Sequence, residues 1–474
     1  IANIAKSHIN ALNSTFVDSN SEETKAFKEF HDELKNNLNS EISETESIEM
    51  IAQHIITKPV FDSLFGDDKF TSENPISKAM NNLVLKINNN IEIYDKDQSL
   101  TKFYASVRKR SEGIVNPKNR QKLVIDLYED FFKKAFPLVT QRLGVVYTPV
   151  EIVDFINLSV EYIVNKEFDS SMSDYGLQIL DPFTGTGTFI TRLIDSGIIP
   201  KEKINHKYKY DLHANEIVLL AYYIASINIE NTYQNIVNSD PYQTFEGIVL
   251  TDTFNLFEEQ REIFGDLLPD NSGRRSRQKK SDINVIIGNP PYSAGQSSAN
   301  DNAQNTKYSS LDKEIENTYV KYSQATLNNS LYDSYIRAFS WATKRIGEKG
   351  VIGFVTNGGW LDSKSGAGVR KVFADEFSKI YVLNLRGNQR GDWRKEGGKV
   401  FGEGSQTAIS IIFLIKNPEY KDGCEIFYHD IGEYLTREEK LYNLEEFKSI
   451  EGIIKSNNFN KIQPDENNDW INLR

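Results

Sequence analysis

Residues 177–189 of the chain are LQILDPFTGTGTF, a stretch that changes from apolar to glycine-rich at Asp181. The short apolar run LQIL is typical of a buried strand, and TFITRLID from Thr188 has apolar residues at helical spacing. Gly185 and Gly187 lie between them, where they allow the backbone to approach a ligand and present amide donors at the helix start. The stretch therefore predicts a strand, turn and helix of an α/β fold, with a ligand at the turn.

Six further apolar runs follow residue 149, and together with LQIL they predict seven strands. The first five are separated by helical or long irregular segments, which indicates a mostly parallel, Rossmann-like sheet covered on both faces. The last two are joined by a glycine-rich basic loop, so an antiparallel hairpin is expected at the sheet edge. Such sheets bind ligands beyond the carboxyl ends of their strands. The predicted strands are Leu177–Pro182, Tyr208–Glu216, Glu246–Asp252, Ile283–Asn289, Gly350–Thr356, Lys379–Leu385 and Thr407–Ile415.

The chain before this sheet, residues 1–137, is predicted to be an all-α domain. Apolar residues recur at intervals of three and four in AFKEFHDELKNNL, SIEMIAQHI and RQKLVIDLYEDFFKKAF. Pro59 and Asn116-Pro117 interrupt the pattern, so we expect five or six helices. No set of side chains in this segment suggests chemistry, which favours a scaffold or a connector.

Composition excludes several classes of protein. Of 474 residues, 39% are apolar and 26% are charged, which is typical of a folded globular chain. No apolar run approaches the roughly 18 residues of a membrane span. The single cysteine, Cys424, excludes a disulfide framework and a cysteine-based zinc cluster, so we expect a cytoplasmic protein without a metal. Residue 1 is Ile, and the missing initiator Met suggests a piece of a longer polypeptide.

Charge is unevenly distributed along the chain. The net charge is −12, and residues 1–100, with 9 Lys and 17 Asp or Glu, account for −8 of it. Such acidity argues against a general nucleic-acid binder, because phosphate contacts need Lys and Arg. Three local basic clusters could nevertheless contact phosphate, at Arg108–Arg110, Gly273–Lys280 and Arg386–Lys399. A solvated surface explains each cluster as well as a phosphate contact does.

Polar residues follow four of the predicted strands, where a ligand site is expected. The lone G-x-G after the first strand is weak evidence for a nucleotide, since it lacks the third glycine of the dinucleotide fingerprint. The phosphate-binding pattern G-x-x-x-x-G-K-[ST] occurs nowhere in the sequence. Glu216 ends the second strand, where a carboxylate can accept both hydroxyl groups of a ribose. Asp252 ends the third, where a carboxylate could accept from an adenine amino group.

The sharpest signal is Asn289-Pro290-Pro291-Tyr292, directly after the apolar strand INVIIG. Two prolines after a strand can simply form a rigid turn. They also fix the backbone so that the Asn289 side-chain oxygen and the Pro290 carbonyl, both acceptors, can point at one NH₂ group. Tyr292 offers a flat face beside that group. The tetrapeptide therefore suits holding an exocyclic amine while its lone pair is directed at an electrophile.

Together these motifs resemble the S-adenosylmethionine-dependent amino-methyltransferases, specifically the N6-adenine DNA methyltransferases of the gamma motif order. The resemblance covers about residues 145–415, and the cofactor loop precedes NPPY as in that order. It implies that NPPY is the catalytic tetrapeptide, and that Phe401 in KVFGEGSQTAISIIFLI stacks on the target base together with Tyr292. It also implies a cofactor site formed by Tyr147, Thr148, Pro149, Asp181, Phe183, Gly185, Gly187, Glu216 and Asp252.

The helical segment and the stretch TKPVFDSLFG look further like the single-chain Type ISP restriction-modification enzymes. In these enzymes a nuclease and a helicase-like translocase precede a helical coupler, which is followed by the methyltransferase and by target recognition. The resemblance implies a coupler at residues 1–137, a methyltransferase domain at 138–420 and an extension at 421–474 that leads to a recognition domain. Double-stranded DNA is then the expected partner, with phosphate contacts at Arg274, Arg275, Arg277, Arg390 and Arg394.

The implied reaction is transfer of a methyl group from S-adenosylmethionine to N6 of a flipped adenine in a specific DNA site. Two alternatives stay open at this point. NPPY also occurs in methyltransferases that act on protein glutamine or on guanine amino groups of RNA, although Phe401 and the helical segment favour DNA. The fold could also serve as a catalytically silent scaffold, against which the intact acidic residues argue.

Overall fold

The computed structural model of the protein describes residues 2–65, 72–87, 102, 104–107, 109, 148–237, 242–256, 268–292, 308–390, 392–401 and 406–473. The strands within these residues are β1 (Gln178–Asp181), β2 (Leu212–Glu216), β3 (Ile248–Leu250), β4 (Ile283–Gly288), β5 (Gly350–Asn357), β6 (Lys379–Arg386), β7 (Ile409–Lys416), β8 (Glu425–Asp430) and β9 (Asn460–Ile462). The α-helices are α1 (Ala2–Thr15), α2 (Glu22–Asn37), α3 (Glu44–Phe65), α4 (Pro75–Ile87), α5 (Val150–Phe168), α6 (Thr188–Asp195), α7 (Lys201–His206), α8 (Leu219–Val237), α9 (Pro269–Lys280), α10 (Ser309–Ile315), α11 (Ser334–Arg345), α12 (Gly359–Asp362), α13 (Ala367–Glu376), α14 (Trp393–Glu396), α15 (Arg437–Phe447) and α16 (Ile450–Lys455).

Four helices, α1 to α4, account for most of the described part of the first segment. The start of α2 is fixed by Ser21, whose hydroxyl accepts a hydrogen bond from the N–H of Thr24 at 3.1 Å. The expected interruption at Pro59 is wrong, because α3 continues through it. Val60 and Phe61 are buried in the next turn, and their burial offsets the hydrogen bond that proline cannot make. The predicted helix RQKLVIDLYEDFFKKAF lies outside the described residues.

A nine-stranded sheet follows, in the order β3-β2-β1-β4-β5-β7-β6-β8-β9 within the described residues. The first five strands pair in parallel, as predicted, whereas β7 runs antiparallel to both β5 and β6. The fold is therefore α/β with a mixed sheet. The predicted antiparallel pair is present as β6 and β7. The predicted count of seven strands and the position of this pair at the sheet edge are wrong, because β8 pairs in parallel with β6 and β9 extends the sheet further.

One predicted strand begins later than the sequence suggested. The run from Tyr208 starts with a π-helical turn, Lys207–Asp211, so that β2 begins only at Leu212. The basic stretch from Gly273 is part of α9, and Pro269 occupies the first turn of that helix, where its missing N–H costs nothing. Strand β8, EIFYHD, is half-buried and has polar residues at both ends, so it lacks the long apolar run that marks the central strands.

Helices cover both faces of the sheet. On one face α5 packs so closely on β5 that a Cβ added at Gly353 would lie 2.9 Å from a methyl group of Val160. On the other face Phe339 of α11 packs against Phe354 of β5, with ring centroids 6.2 Å apart. The first segment joins the same core, because Phe61 of α3 contacts Tyr223 of α8. The central strands are therefore buried on both sides, which explains their apolar composition.

Candidate active site

The site lies where the strand order reverses. The chain passes from β1 outward to β2 and β3, and then returns to place β4 on the other side of β1. Such a reversal opens a crevice at the carboxyl ends of the two strands. Asp181 ends β1 and Asn289 follows β4, and a Cβ added at Gly288 would lie 3.0 Å from Oδ1 of Asp181. The predicted cofactor loop and the predicted catalytic tetrapeptide are thus neighbours across the crevice.

The turn after β1 needs both of its glycines. Gly185 and Gly187 have φ angles of 56° and 85°, a region in which side chains are strained. A Cβ on Gly187 would also come within 3.2 Å of the backbone of Ala225 in α8. The side chain of Asn228 fixes the turn from the same helix by donating to the Thr186 carbonyl at 2.9 Å. The turn is therefore rigid and its backbone is close to the surface of the crevice.

Glu216 closes this turn from the neighbouring strand. Its carboxylate accepts from the N–H of Gly185 at 2.7 Å, and from those of Ile217 and Val218 at 2.9 and 2.8 Å. Burial raises the pKa of Glu216 to about 7, although these three donors favour its ionised form. The predicted ribose-binding acid and the predicted cofactor loop are therefore joined directly.

Asp181 has an unsatisfied acceptor. Its Oδ1 accepts from the N–H of Phe183 at 3.1 Å, while Oδ2 is buried without a hydrogen-bond partner. Burial raises the pKa of Asp181 to about 8, and the negative charge of Glu216 adds to this effect. A buried acceptor without a partner is costly and usually marks a place where a ligand binds. A cationic ligand would stabilise the ionised form, so Asp181 fits the positively charged methionine portion of S-adenosylmethionine.

Asp252 is also buried, and its carboxylate is heavily hydrogen-bonded. Oδ1 accepts from the N–H of Phe254 at 2.9 Å, and Oδ2 accepts from Tyr308 Oη at 2.9 Å and from Asn39 Nδ2 at 2.6 Å. Asn39 belongs to the first segment, and no pattern in the sequence pointed to it or to Tyr308. The next residue, Thr253, donates to the Pro182 carbonyl at 2.6 Å, which ties this turn to the cofactor loop.

The NPPY tetrapeptide is held by a residue from the start of α5. Asn289 Nδ2 donates to Thr148 Oγ1 at 3.0 Å, and the Tyr292 hydroxyl donates to Asn289 Oδ1 at 2.6 Å. The bond to Thr148 orients the amide, so that Oδ1 faces the hydroxyl of Tyr292 and keeps a second lone pair. Thr148 was predicted to contact the cofactor, and its bond to Asn289 is an additional contact that the sequence did not indicate.

Phe401 lies beside the tetrapeptide, 2% exposed, and its ring centroid is 6.3 Å from that of Tyr292. The two rings are tilted by 52°, whereas a base sandwiched between them would need nearly parallel rings. The two predicted stacking residues are therefore brought together, and their stacking on a base stays a prediction. Pro149 is buried next to Thr148, and Tyr147 lies outside the described residues.

The arginines predicted to contact DNA differ in their surroundings. Arg274 is buried and donates to the Phe245 carbonyl at 3.0 Å, so its guanidinium stabilises the fold and is not exposed for the expected phosphate contact. Arg275 is half-buried in the same helix, and Arg277 is exposed and pairs with Glu246 at 3.1 Å. Arg390 and Arg394 are exposed in the segment between β6 and Phe401, with Arg394 in α14.

Two negative findings concern the described residues. None of their helices combines the length and apolar character needed to cross a membrane. Within the same ranges, no group of three or more His, Cys, Asp or Glu side chains is arranged to hold a metal ion.

Two family models match the sequence. Residues 1–119 match the coupler domain of Type ISP restriction-modification enzymes, and residues 202–389 match the Eco57I restriction-modification methylase. No curated protein sequence matches the chain. The first match begins in the helical segment, and the second includes Glu216, Asp252 and the NPPY tetrapeptide.

Three solved structures resemble the whole chain. A nuclease-deletion mutant of the Type ISP enzyme LlaGI, in complex with a DNA substrate mimic, is 44% identical with a TM-score of 0.91. The ATP-dependent Type ISP enzyme LlaBIII bound to DNA is 43% identical with a TM-score of 0.93, and the DrdV–DNA complex is 33% identical with a TM-score of 0.89. The alignments cover 100%, 100% and 99% of this chain, which spans 38%, 32% and 45% of those chains.

Proposed function

The chain corresponds to the coupler and methylase portion of the Type ISP restriction-modification enzymes, and we propose that it transfers a methyl group from S-adenosylmethionine to N6 of adenine in DNA. One observation carries the proposal: NPPY and the glycine turn lie on adjacent strands at the reversal point of the sheet. An amine held at Asn289 is then close to a methyl donor held at the turn.

The proposed role of Asn289 and Pro290 is to accept the two hydrogens of the target amine. The adenine amine is a poor nucleophile, because its lone pair is delocalised into the ring. Two acceptors draw the nitrogen toward a tetrahedral geometry and stabilise the positive charge that develops during methyl transfer. Thr148 keeps the Asn289 amide in the required orientation.

S-adenosylmethionine supplies the activated methyl group when bound. We assign its ribose to Glu216, its adenine amine to Asp252 and its charged methionine portion to Asp181. The support for this assignment is the set of buried carboxylates at three adjacent strand ends, together with the unpaired Oδ2 of Asp181.

A base inside duplex DNA cannot reach NPPY, so the proposal requires that the adenine leave the helix, at a cost of a few kcal/mol. Stacking on Tyr292 and Phe401 would return roughly 1–3 kcal/mol per aromatic contact. The exposed Arg390 and Arg394 are proposed to contact phosphates beside the base. The matched LlaGI, LlaBIII and DrdV structures are complexes with DNA or a DNA mimic, which supports DNA as the substrate here.

The same resemblance leads us to propose which domains flank this chain in a longer enzyme. A nuclease and translocase upstream and a target-recognition domain downstream would place methylation within a restriction-modification enzyme. Phage defence is the biological role that follows.

The test has two steps. Isothermal titration with S-adenosylmethionine should show binding, and transfer of tritiated methyl groups should then be compared on DNA, RNA and protein at low salt. Label in DNA alone supports the proposal. Label in RNA or protein instead would show that NPPY serves one of the alternative substrates, and binding without transfer to any of them would indicate a silent scaffold.

A further inference from the structure

We propose that Asn39 of the helical segment is a positioning residue of the cofactor site, which acts on the cofactor adenine through Asp252. The inference rests on the proposed function and extends it to a residue far from the methyltransferase motifs. It makes the coupler a structural part of cofactor recognition as well as a connector.

Asn39 is held rigidly at the end of α2. Its N–H donates to the Leu34 carbonyl at 3.1 Å, and its side-chain Oδ1 accepts from the N–H of Glu41 at 2.9 Å. Only the Nδ2 group is then left to point outward, and it donates to Asp252 Oδ2 at 2.6 Å. The residue is 6% exposed. The direction of the Nδ2 donor is therefore fixed before any ligand binds.

The turn that carries Asn39 is fastened to the Asp252 region at two further points. Asn255 donates to the Leu38 carbonyl at 2.7 Å, and the N–H of Leu268 donates to Glu33 Oε1 at 2.6 Å. All three contacts are buried and join the end of α2 to Asp252, Asn255 and Leu268. The contacts at Asn255 and Leu268 join α2 to this region and do not involve the Asn39 side chain. We therefore expect the bond from Asn39 to Asp252 to have an effect of its own.

That effect is on the carboxylate itself. Asn39 and Tyr308 both donate to Oδ2, which fixes the rotation of the carboxylate and the directions of its lone pairs. Burial raises the pKa of Asp252, and the bonds from Tyr308 and Asn39 oppose this. Loss of the Asn39 donor would favour the protonated acid, which is a poor acceptor for an adenine amine. Asn39 thus preserves both the direction and the charge of the group that recognises adenine.

The experiment compares two ligands, S-adenosylhomocysteine and its analogue with hydrogen in place of the adenine 6-amino group. In the Asn39→Leu variant of the whole chain we expect the dissociation constant of S-adenosylhomocysteine to rise about tenfold, as for the loss of one well-oriented hydrogen bond. The dissociation constant of the analogue should change less than twofold, roughly the uncertainty within which independent effects add. If the role of Asn39 were purely structural, the variant would lose the same affinity for both ligands.

Three further variants separate the possible causes. Asp252→Ala should weaken the binding of S-adenosylhomocysteine. Adding Asn39→Leu to this variant should have no further effect on binding, because Asn39 acts through the carboxylate. Asn255→Ala should lower the thermal midpoint but keep the ratio between the two ligands. Asn13→Leu is the matched control, since Asn13 is exposed and donates to the Ile9 carbonyl within α1.

The outcomes distinguish this inference from the proposed function. If the unmodified chain binds neither ligand, both are overturned. If it binds and prefers the ligand with the amino group, and Asn39→Leu leaves that preference unchanged, the proposed function stands and the role of Asn39 is refuted. Additive losses in the Asn39→Leu, Asp252→Ala double variant would also refute it.

Discussion

Asp181 and Glu216 are buried carboxyl groups whose pKa values, raised by burial to about 8 and about 7, lie in the range of ordinary assays. Each binds more protons in the folded chain than in the unfolded chain between about pH 4 and its raised pKa. Ionisation in the ligand-free fold is therefore unfavourable, and the free energy of unfolding should fall as pH rises through this window. A bound cationic ligand favours the ionised form of both carboxyl groups and so lowers their pKa values.

The first prediction concerns the pH dependence of cofactor binding. The affinity for S-adenosylmethionine should rise from pH 6 to pH 8, as Glu216 and then Asp181 ionise. Asp181→Asn should remove the part of the increase between pH 7 and pH 8. Titration calorimetry at pH 6, 7 and 8 measures both chains. An identical pH profile in the variant would show that Asp181 does not face the cofactor charge.

The second prediction concerns Glu216. Glu216→Ala should weaken the binding of S-adenosylmethionine roughly 10- to 100-fold, because hydrogen bonds to a charged group contribute about 1.5–3 kcal/mol. Since the variant also leaves the Gly185 N–H without its acceptor, its thermal midpoint is measured alongside the dissociation constant. An unchanged dissociation constant would remove this residue from the site.

Helix α15, in the C-terminal part of the chain, illustrates how elements cooperate. Lys440 of α15 is fully buried and donates to the carbonyls of Glu396 and Gly398 at 2.8 and 2.7 Å, and Arg437 donates to the Val400 carbonyl at 2.9 Å. Burial lowers the pKa of Lys440 to about 8. These bonds fasten the loop before Phe401 to a helix that the sequence placed in a separate extension.

The third prediction follows from that helix. Lys440→Met should lower the thermal midpoint, since the carbonyls of Glu396 and Gly398 lose a charged donor at a cost of about 2 kcal/mol. Methyl transfer should fall roughly tenfold as Phe401 loses its support, with the dissociation constant of S-adenosylmethionine unchanged. Lys455→Met is the control, because Lys455 is exposed in α16. A normal transfer rate in Lys440→Met would separate α15 from the site.

The strands were predictable where burial on both faces leaves a continuous apolar run, as in INVIIG of β4. They were missed where the strand is half-buried, as in β8, because an amphipathic run of six residues gives a weak signal. The π-helical turn before β2 was missed as well, since its tyrosines are as compatible with a strand as with a turn.

Across the whole molecule, the first segment and the sheet share one core. Buried His54 of α3 lies 2.9 Å from the Tyr223 hydroxyl of α8, and burial lowers its pKa to about 4, so the ring is neutral at physiological pH. The strand ends that carry Asp181, Glu216 and NPPY were predictable because each motif is local in sequence. The contact of Asn39 with Asp252 was not, because 213 residues separate the two and only folding brings them together.

The fourth prediction concerns DNA binding by this acidic chain. With a net charge of −12, binding should be weak and steeply dependent on salt. The double variant Arg390→Ala, Arg394→Ala should reduce the slope of log affinity against log salt by about 2, at roughly 0.9 per phosphate. Lys25→Ala, Lys455→Ala removes the same charge from distant exposed positions and is the control. Tight, sequence-selective binding at physiological salt would contradict this prediction.

Methyl transfer to adenine N6 is the central claim, and mass spectrometry of nucleosides tests it most directly. DNA is incubated with the chain and with S-adenosylmethionine carrying a deuterated methyl group, and is then digested. Labelled N6-methyldeoxyadenosine should form with the unmodified chain and should be lost in Asn289→Ala, which keeps its binding of S-adenosylmethionine. Label on another base, or equal labelling by Asn289→Ala, would contradict the account.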